Sequence, residues 1–250
     1  AGGAKKLFPC QRFSRSAHTA DDDEVTEKTV YVVGSDSMNT EDWIAANIFS
    51  TITEAYHHLG ILKLISIYLF HEKKIPYEDF YNRITKFAKD NDGTIANLAY
   101  HELYNFFKTI TEGKSPELYS NEVFGNITWS PKKAAHLDTI YRLDKFYEEI
   151  KPVLAEMFED DELLDEMISL QKIILKQPHK NNYSNDFSYD WKDYYDHALQ
   201  DKYSPLKKKR IRININNATH PDNWKDYAIE AVWFGRNGIT FNPGITFEDI

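Results

Sequence analysis

Apolar residues recur at helical spacing through most of the chain after about residue 29, and this pattern predicts a set of packed helices. Between Trp43 and Leu59, the residues Ile44, Ile48, Phe49, Ile52, Ala55, Tyr56 and Leu59 share one face at the 3.6-residue period. The stretch Ser37 to Asp42 precedes them as a polar cap followed by acids, which suit the positive end of a helix. Gly60 is expected to break or re-aim that helix. Ile61 to His71 is apolar on nearly every side, which predicts burial all round. Pro76 opens a further helix with Phe80, Ile84 and Phe87 on one stripe, and Asn91-Asp92-Gly93 closes it. Ile95 to Ile110 reads as the next helix, followed by a loop over 112–116. A long helix starts at Ser130-Pro131 and carries Ala134, Leu137, Ile140, Tyr141, Phe146 and Ile150; Pro152 is expected to kink or split it. Leu163 to Leu175 is helical and stopped by Pro178, Lys180 to Ser188 reads as an Asn-rich loop, and Tyr189-Asp190-Trp191 leads into a short aromatic helix.

The period changes in two places. Thr29 to Val33 is a β-branched run closed by Gly34, the signature of a short buried strand. Ile211, Ile213 and Ile215 alternate with Arg212, Asn214 and Asn216, as in a strand with one wet face. A last amphipathic helix is predicted from Asp222 to Phe234, and Arg236 to Phe241 reads as a turn into an edge strand. The expected fold is α+β and predominantly α, with packed helices and a small peripheral sheet from strands near Val32, Ile213 and Thr240. Residues 1–28 show no period and include the acidic run Asp21 to Glu24, so they read as a flexible arm before one mainly helical domain over 29–250.

Charge and cysteine content narrow the chemistry. Thirty Lys plus Arg stand against 39 Asp plus Glu, a formal charge of −9, which disfavours a nucleic-acid partner held by clustered cations. No apolar run approaches the roughly 20 residues of a membrane span, and the first fifteen residues lack a signal-peptide core, so the expected location is the cytoplasm. Cys10 is the single cysteine, which excludes an internal disulfide, a thiolate zinc cage and a self-contained iron–sulfur cluster. The 16 Tyr, 15 Phe and 5 Trp suit either an aromatic core or a docking surface.

Local motifs are mostly plain on inspection. Asp90 to Ile95 resembles a calcium loop only superficially: aligned on Gly93, the first and last ligand places fall on Ala88 and Ala99, so it reads as a helix-closing turn. His57 and His58 are adjacent and point in different directions on a helix, and no H-E-x-x-H occurs, so no metal site is expected. The basic run Lys207 to Arg210 reads as a solvated strand start that discourages edge pairing. Two clusters stand out. Trp43, Asn47, Ser50, Glu54 and His57 lie opposite the apolar stripe of their helix, and Trp233-Phe234-Gly235-Arg236 sits at a helix end beside Gly238. Each is either the periphery of this domain's own core or a surface facing something outside it.

These clusters also carry a family likeness. Ser37-Met38-Asn39-Thr40-Glu41-Asp42-Trp43 followed by Asn47-Ile48-Phe49-Ser50 is similar to a stretch of cobalamin-binding radical SAM proteins that lies downstream of their barrel. The similarity continues through Tyr77 to Tyr81, Phe124 to Trp129, Tyr189 to Trp191 and Val232 to Gly238. The resemblance implies a larger parent with a cobalamin-binding Rossmann-like domain and a partial barrel holding a four-iron cluster and S-adenosylmethionine. The CxxxCxxC motif of that barrel does not occur here. The chain then resembles the C-terminal accessory domain, with no cofactor of its own and the upstream barrel as intramolecular partner. Trp43, Asn47, Glu54, His57, Trp233 and Arg236 become candidates for the substrate-side contact. Two alternatives stand beside this: a free-standing helical module that binds a protein through exposed aromatics, and a small acid–base enzyme using Glu54 with His57 or His58.

Overall fold

Asn, Asp and Thr side chains cap α-helices that begin after residues 39, 94, 160, 190 and 223, where the sequence changes from polar to periodic. A computed structural model describes residues 6–11, 28–117, 119–125, 127–175, 177–178, 182–216, 221–233 and 245–250. Helix α1 (Thr40–Thr53) begins at Asn39, whose Oδ1 accepts the Asp42 N–H at 2.9 Å. It runs on into a π-helical turn, Glu54–His58, closed by the Leu59 N–H on the Glu54 carbonyl at 3.1 Å. Gly60 follows at φ 104°, a backbone state that side-chain-bearing residues avoid, and redirects the chain into α2 (Lys63–Lys73). Helices α3 (Tyr77–Asp90) and α4 (Ile95–Thr111) are joined by a turn with Gly93 at φ 78°. Buried Asn97 clamps that turn, donating to the Ala88 carbonyl at 2.9 Å and accepting the Gly93 N–H at 3.1 Å.

Helices α5 (Pro131–Tyr141) and α6 (Leu143–Ala155) correct the sequence reading of one long helix split at Pro152. The break falls at Arg142 (φ −116°, ψ 33°), where its N–H turns back to Thr139 at 3.1 Å. Pro152 is absorbed inside α6, in its last turn, where only the carbonyl of exposed Glu148 loses a partner. After α7 (Asp161–Ile174), capped by Asp160, come α8 (Trp191–Ala198), capped by Asp190, and α9 (Trp224–Tyr227), capped by Asn223. Helix α9 continues as a π-helical segment, Ala228–Trp233.

Helix α2 occupies the middle of the fold. Leu64, Ile65, Ile67, Tyr68 and Leu69 are all buried, as its all-round apolar pattern predicts. Its buried start has no side-chain cap of its own. Three other elements satisfy that backbone instead: the Tyr147 hydroxyl donates to the Ile61 carbonyl, Gln171 Oε1 accepts the Leu64 N–H at 2.7 Å, and the Tyr195 hydroxyl donates to the Leu64 carbonyl at 2.9 Å. One contiguous cluster of buried side chains runs from Val33 to Val232.

The strands form two sheets rather than one. A two-stranded antiparallel sheet pairs β1 (Lys6–Gln11) with β2 (Lys28–Gly34). A three-stranded antiparallel sheet has the order β3 (Asn182–Tyr189), β4 (Lys208–Asn216), β5 (Ile245–Asp249). The strand near Val32 therefore does not share a sheet with Ile213, and the stretch read as a period-free arm contributes β1. The third strand of the larger sheet is β5; the turn expected at 236–241 lies outside the described residues. The Asn-rich loop is strand β3, because β4 supplies its hydrogen bonds, and of its side chains only Phe187 is buried. Ile211, Ile213 and Ile215 are buried, and between them Arg212 pairs with cross-strand Asp186 at 2.6 Å. Among the described residues, no helix is long and apolar enough to cross a membrane.

Candidate functional site

The first turn of α5 is the meeting point of the two clusters singled out above. Ser130-Pro131 starts the helix, so Lys132 and Lys133 project from its opening turn. Lys132 Nζ pairs with Glu54 at 3.1 Å, tying in the end of α1. Lys133 Nζ donates to the Trp233 carbonyl at 3.0 Å and sits 4.7 Å above the Trp233 ring centre. Burial and neighbouring Lys132 lower the Lys133 pKa. Trp129, one residue before the cap, meets Trp233 edge to face at 5.6 Å. Trp129 is 1% exposed, and its Nε1–H has no partner among the described residues.

The other candidates do not join this hub. Trp43 is half-buried and packs edge-on against Phe107 of α4 at 5.9 Å. Asn47 donates to the Trp43 carbonyl, 2.8 Å away in its own helix. Arg236 lies outside the described residues. The π-helical turn widens the helix at its end, and His57 is directed toward α2 and α3 while Glu54 faces α5. His57 Nδ1 lies 3.1 Å from both Ser66 Oγ and the Tyr81 hydroxyl. Ser66 already donates its hydrogen to the Lys63 carbonyl at 2.8 Å, so it offers no free nucleophile. Burial above all, then Lys63 and His58, lowers the His57 pKa to about 4, leaving the ring neutral at neutral pH. Glu54 and His57 therefore point to different elements, so the Glu54–His57 form of the acid–base alternative lacks its geometry.

A titratable cluster with no sequence signature lies at the outer contact of α4 and α5. The Tyr119 hydroxyl donates to Asp138 Oδ1 at 2.5 Å, and Asn121 Nδ2 donates to the Tyr119 oxygen at 3.3 Å. Arg142 donates to the Asp138 carbonyl at 3.3 Å. Burial raises the Asp138 pKa against the pull of Tyr119 and Arg142. Glu102 is pushed up to about 7, first by partial loss of water around its carboxyl and then by Asp138, although the residue as a whole lies at the surface. Glu102 and Asp138 sit on different helices at unrelated spacings, so only the packed structure brings their charges together. Replacing Glu102 by Gln is expected to raise the urea midpoint slightly at pH 8 and not at pH 5, because only the ionised form is repelled. An equal change at both pH values contradicts this electrostatic account.

The basic run is largely neutralised. Lys207 pairs with Asp193 at 3.2 Å, Lys209 with Asp190 at 3.3 Å and Asp249 at 2.7 Å, and Arg210 with Asp186 at 3.7 Å. Among the described residues no group of three or more His, Cys, Asp or Glu side chains is placed to hold a metal ion. The iron–sulfur cluster that the family resemblance implies does not fit this donor set, since Cys10 is the only thiol. Compared with known proteins, the chain matches no family model, and no curated protein matches it.

Proposed function

We propose that this chain is the substrate-side accessory domain of a larger enzyme resembling the cobalamin-binding radical SAM proteins, and that it makes and breaks no bonds itself. The observation that supports this is the hub at the first turn of α5. Segments 124–129 and 232–233, read from sequence as parts of one family pattern, meet there through Trp129 and Trp233. The helix opened by the Glu41-Asp42-Trp43 segment reaches the same turn through Glu54 and Lys132. Fragments far apart in sequence thus build one packed unit. The charged groups beside them, Lys132, Lys133 and Glu54, are held in an internal ion pair and hydrogen bond, as in a module that shapes a site more than it performs chemistry. Strand β2 turns Val30 (59% exposed) and Val32 (46%) to solvent, an apolar edge suited to contact with the barrel.

The test uses the complete enzyme and the separate chain. The separate chain is expected to be colourless, to bind neither hydroxocobalamin nor S-adenosylmethionine, and to release no 5′-deoxyadenosine. The complete enzyme without residues 29–250 is expected to keep its cluster and cleave S-adenosylmethionine while losing coupling to substrate. A reading frame with no CxxxCxxC upstream of this sequence, or full substrate turnover after the deletion, overturns the proposal. The first of those results favours the free-standing interaction module.

A further inference from the structure

Three serines of this chain precede a proline: Ser115, Ser130 and Ser204. Ser130 and Ser204 also have a lysine three residues on, Lys133 and Lys207, so the sequence holds two copies of the pattern Ser-Pro-x-Lys. Proline-directed protein kinases recognise that pattern, and they take it as extended chain. The structure separates the two copies. Ser130-Pro131 opens α5: the Ser130 carbonyl accepts the N–H groups of Lys133 and Ala134, each at 2.9 Å, and the Lys133 ammonium is committed to Trp233. Presenting this copy to a kinase would unwind the turn on which the α5 hub is built.

Ser204 lies in open chain. Residues 202–207, between α8 and β4, belong to neither helix nor strand. Among the described residues no backbone hydrogen bond ties down Tyr203, Ser204, Pro205 or Leu206. Pro205 biases the residue before it toward the extended backbone that a kinase cleft accepts. Tyr203 is 59% exposed, and Pro205 and Lys207 are exposed as well. Ser204 itself is half-buried, with its Oγ donating to Asp193 Oδ2 at 3.3 Å, and Lys207 Nζ donates to the same oxygen at 3.2 Å. His197 stands 3.4 Å from the other oxygen of that carboxylate.

We propose that Ser204 is the acceptor site of a proline-directed protein kinase, and that its phosphorylation draws Lys207 off Asp193. In the transfer, Ser204 Oγ attacks the γ-phosphorus of ATP, the bond from that phosphorus to the β,γ-bridging oxygen breaks, and ADP leaves. The hydroxyl proton passes to the catalytic carboxylate of the kinase. The product places a charge of about −1.5 to −2 and three acceptor oxygens beside the Asp193 carboxylate. Like charges push the two groups apart, and Lys207, which already meets Asp193 at the Ser204 contact, exchanges the weaker anion for the stronger. The inference is independent of the accessory-domain reading, because it concerns this chain alone.

The test treats the purified chain with a cyclin-dependent kinase and MgATP and locates the phosphate by mass spectrometry. One phosphate on Ser204 and none on Ser130 is the expected result. Ser204→Ala should abolish incorporation and Pro205→Ala should reduce it to background, with circular dichroism showing both variants folded. The Asp193 carboxyl is held below the usual carboxylate range, first by its hydrogen bond from Lys207. In the phosphorylated chain its titration, followed by NMR, should move to higher pH. No phosphate on Ser204, transfer to Ser130 at an equal or greater rate, or transfer unchanged in Pro205→Ala overturns the site. An unmoved Asp193 titration in the phosphorylated chain overturns the exchange of Lys207.

Discussion

Trp191→Ala is expected to lower the unfolding free energy by about 3–5 kcal/mol, the range for removing a buried aromatic side chain. In a chain of this size that corresponds to a fall in Tm on the order of 10 °C. Trp191 is fully buried and stacks on Tyr195 at 5.8 Å with 20° between the rings. Tyr194 and Tyr68 meet it at 6.2 and 6.4 Å, so the deletion opens a cavity inside an aromatic cluster. Its Nε1–H also donates to Glu166 Oε1 at 2.7 Å. Glu166 accepts the Ser188 N–H as well, at 2.9 and 3.0 Å, so this carboxylate fastens β3 and α8 to α7 together. Trp191→Phe keeps most of the packing and loses the donor, and should cost about 1.5–3 kcal/mol, the worth of a hydrogen bond to a charged group. Urea and thermal unfolding followed by circular dichroism separate the two variants. If Trp191→Ala shifts stability no more than Trp191→Phe does, the ring packing is not what holds α8 in place.

Acid is expected to weaken the fold through His136. This residue of α5 is fully buried, its Nδ1 lies 3.4 Å from the Ala55 carbonyl, and burial lowers its pKa to about 4. An unfolded histidine titrates near 6.5, so between pH 6.5 and 4 the unfolded chain binds a proton that the folded chain refuses. Stability is therefore full above about pH 6.5 and declines as pH falls toward 4. At about 1.4 kcal/mol per unit, His136 alone contributes a loss of about 3 kcal/mol across that window. His57 acts in the same direction, softened by its contact with solvent. Glu102 acts in the opposite direction, because its raised pKa lets the folded state take up a proton as pH falls from about 7. Urea unfolding at pH 7, 6, 5 and 4.5 should show the decline, and His136→Gln should flatten it. An NMR titration provides a second check: the His136 ring resonance should stay unshifted from pH 7 to pH 5. Protonation of that ring near pH 6.5 in the folded protein contradicts the prediction.

The helices were legible because their apolar positions repeat and their ends carry chemistry: Phe80, Ile84 and Phe87 on α3, Gly93 at its close, Pro131 at the opening of α5. The isoleucines of β4 were legible by alternation. Strand β3 was not, because an edge strand with a single buried residue needs no apolar rhythm; its order comes from a partner outside the segment. The pairing of β2 with β1 instead of β4 is likewise a choice between distant partners that local pattern does not encode. The break at Arg142 was hidden because apolar spacing continues across it. Trp43 was read on the far side of α1, yet Phe107 covers it, since α1 packs on α4 as well as on α5. The carboxyl pair Glu102 and Asp138 and the Ser66–His57–Tyr81 contact depend on how helices lie beside one another, which spacing within one helix does not report.

The way α2 is begun has a consequence for the order of assembly during translation. The backbone at its start is completed by Tyr147, Gln171 and Tyr195. The last of these leaves the ribosome well after α2 itself, so the nascent chain must wait with its central helix unfinished. The amino-terminal third by itself leaves that start without these three partners, and a product released before residue 195 would lack the Tyr195 contact.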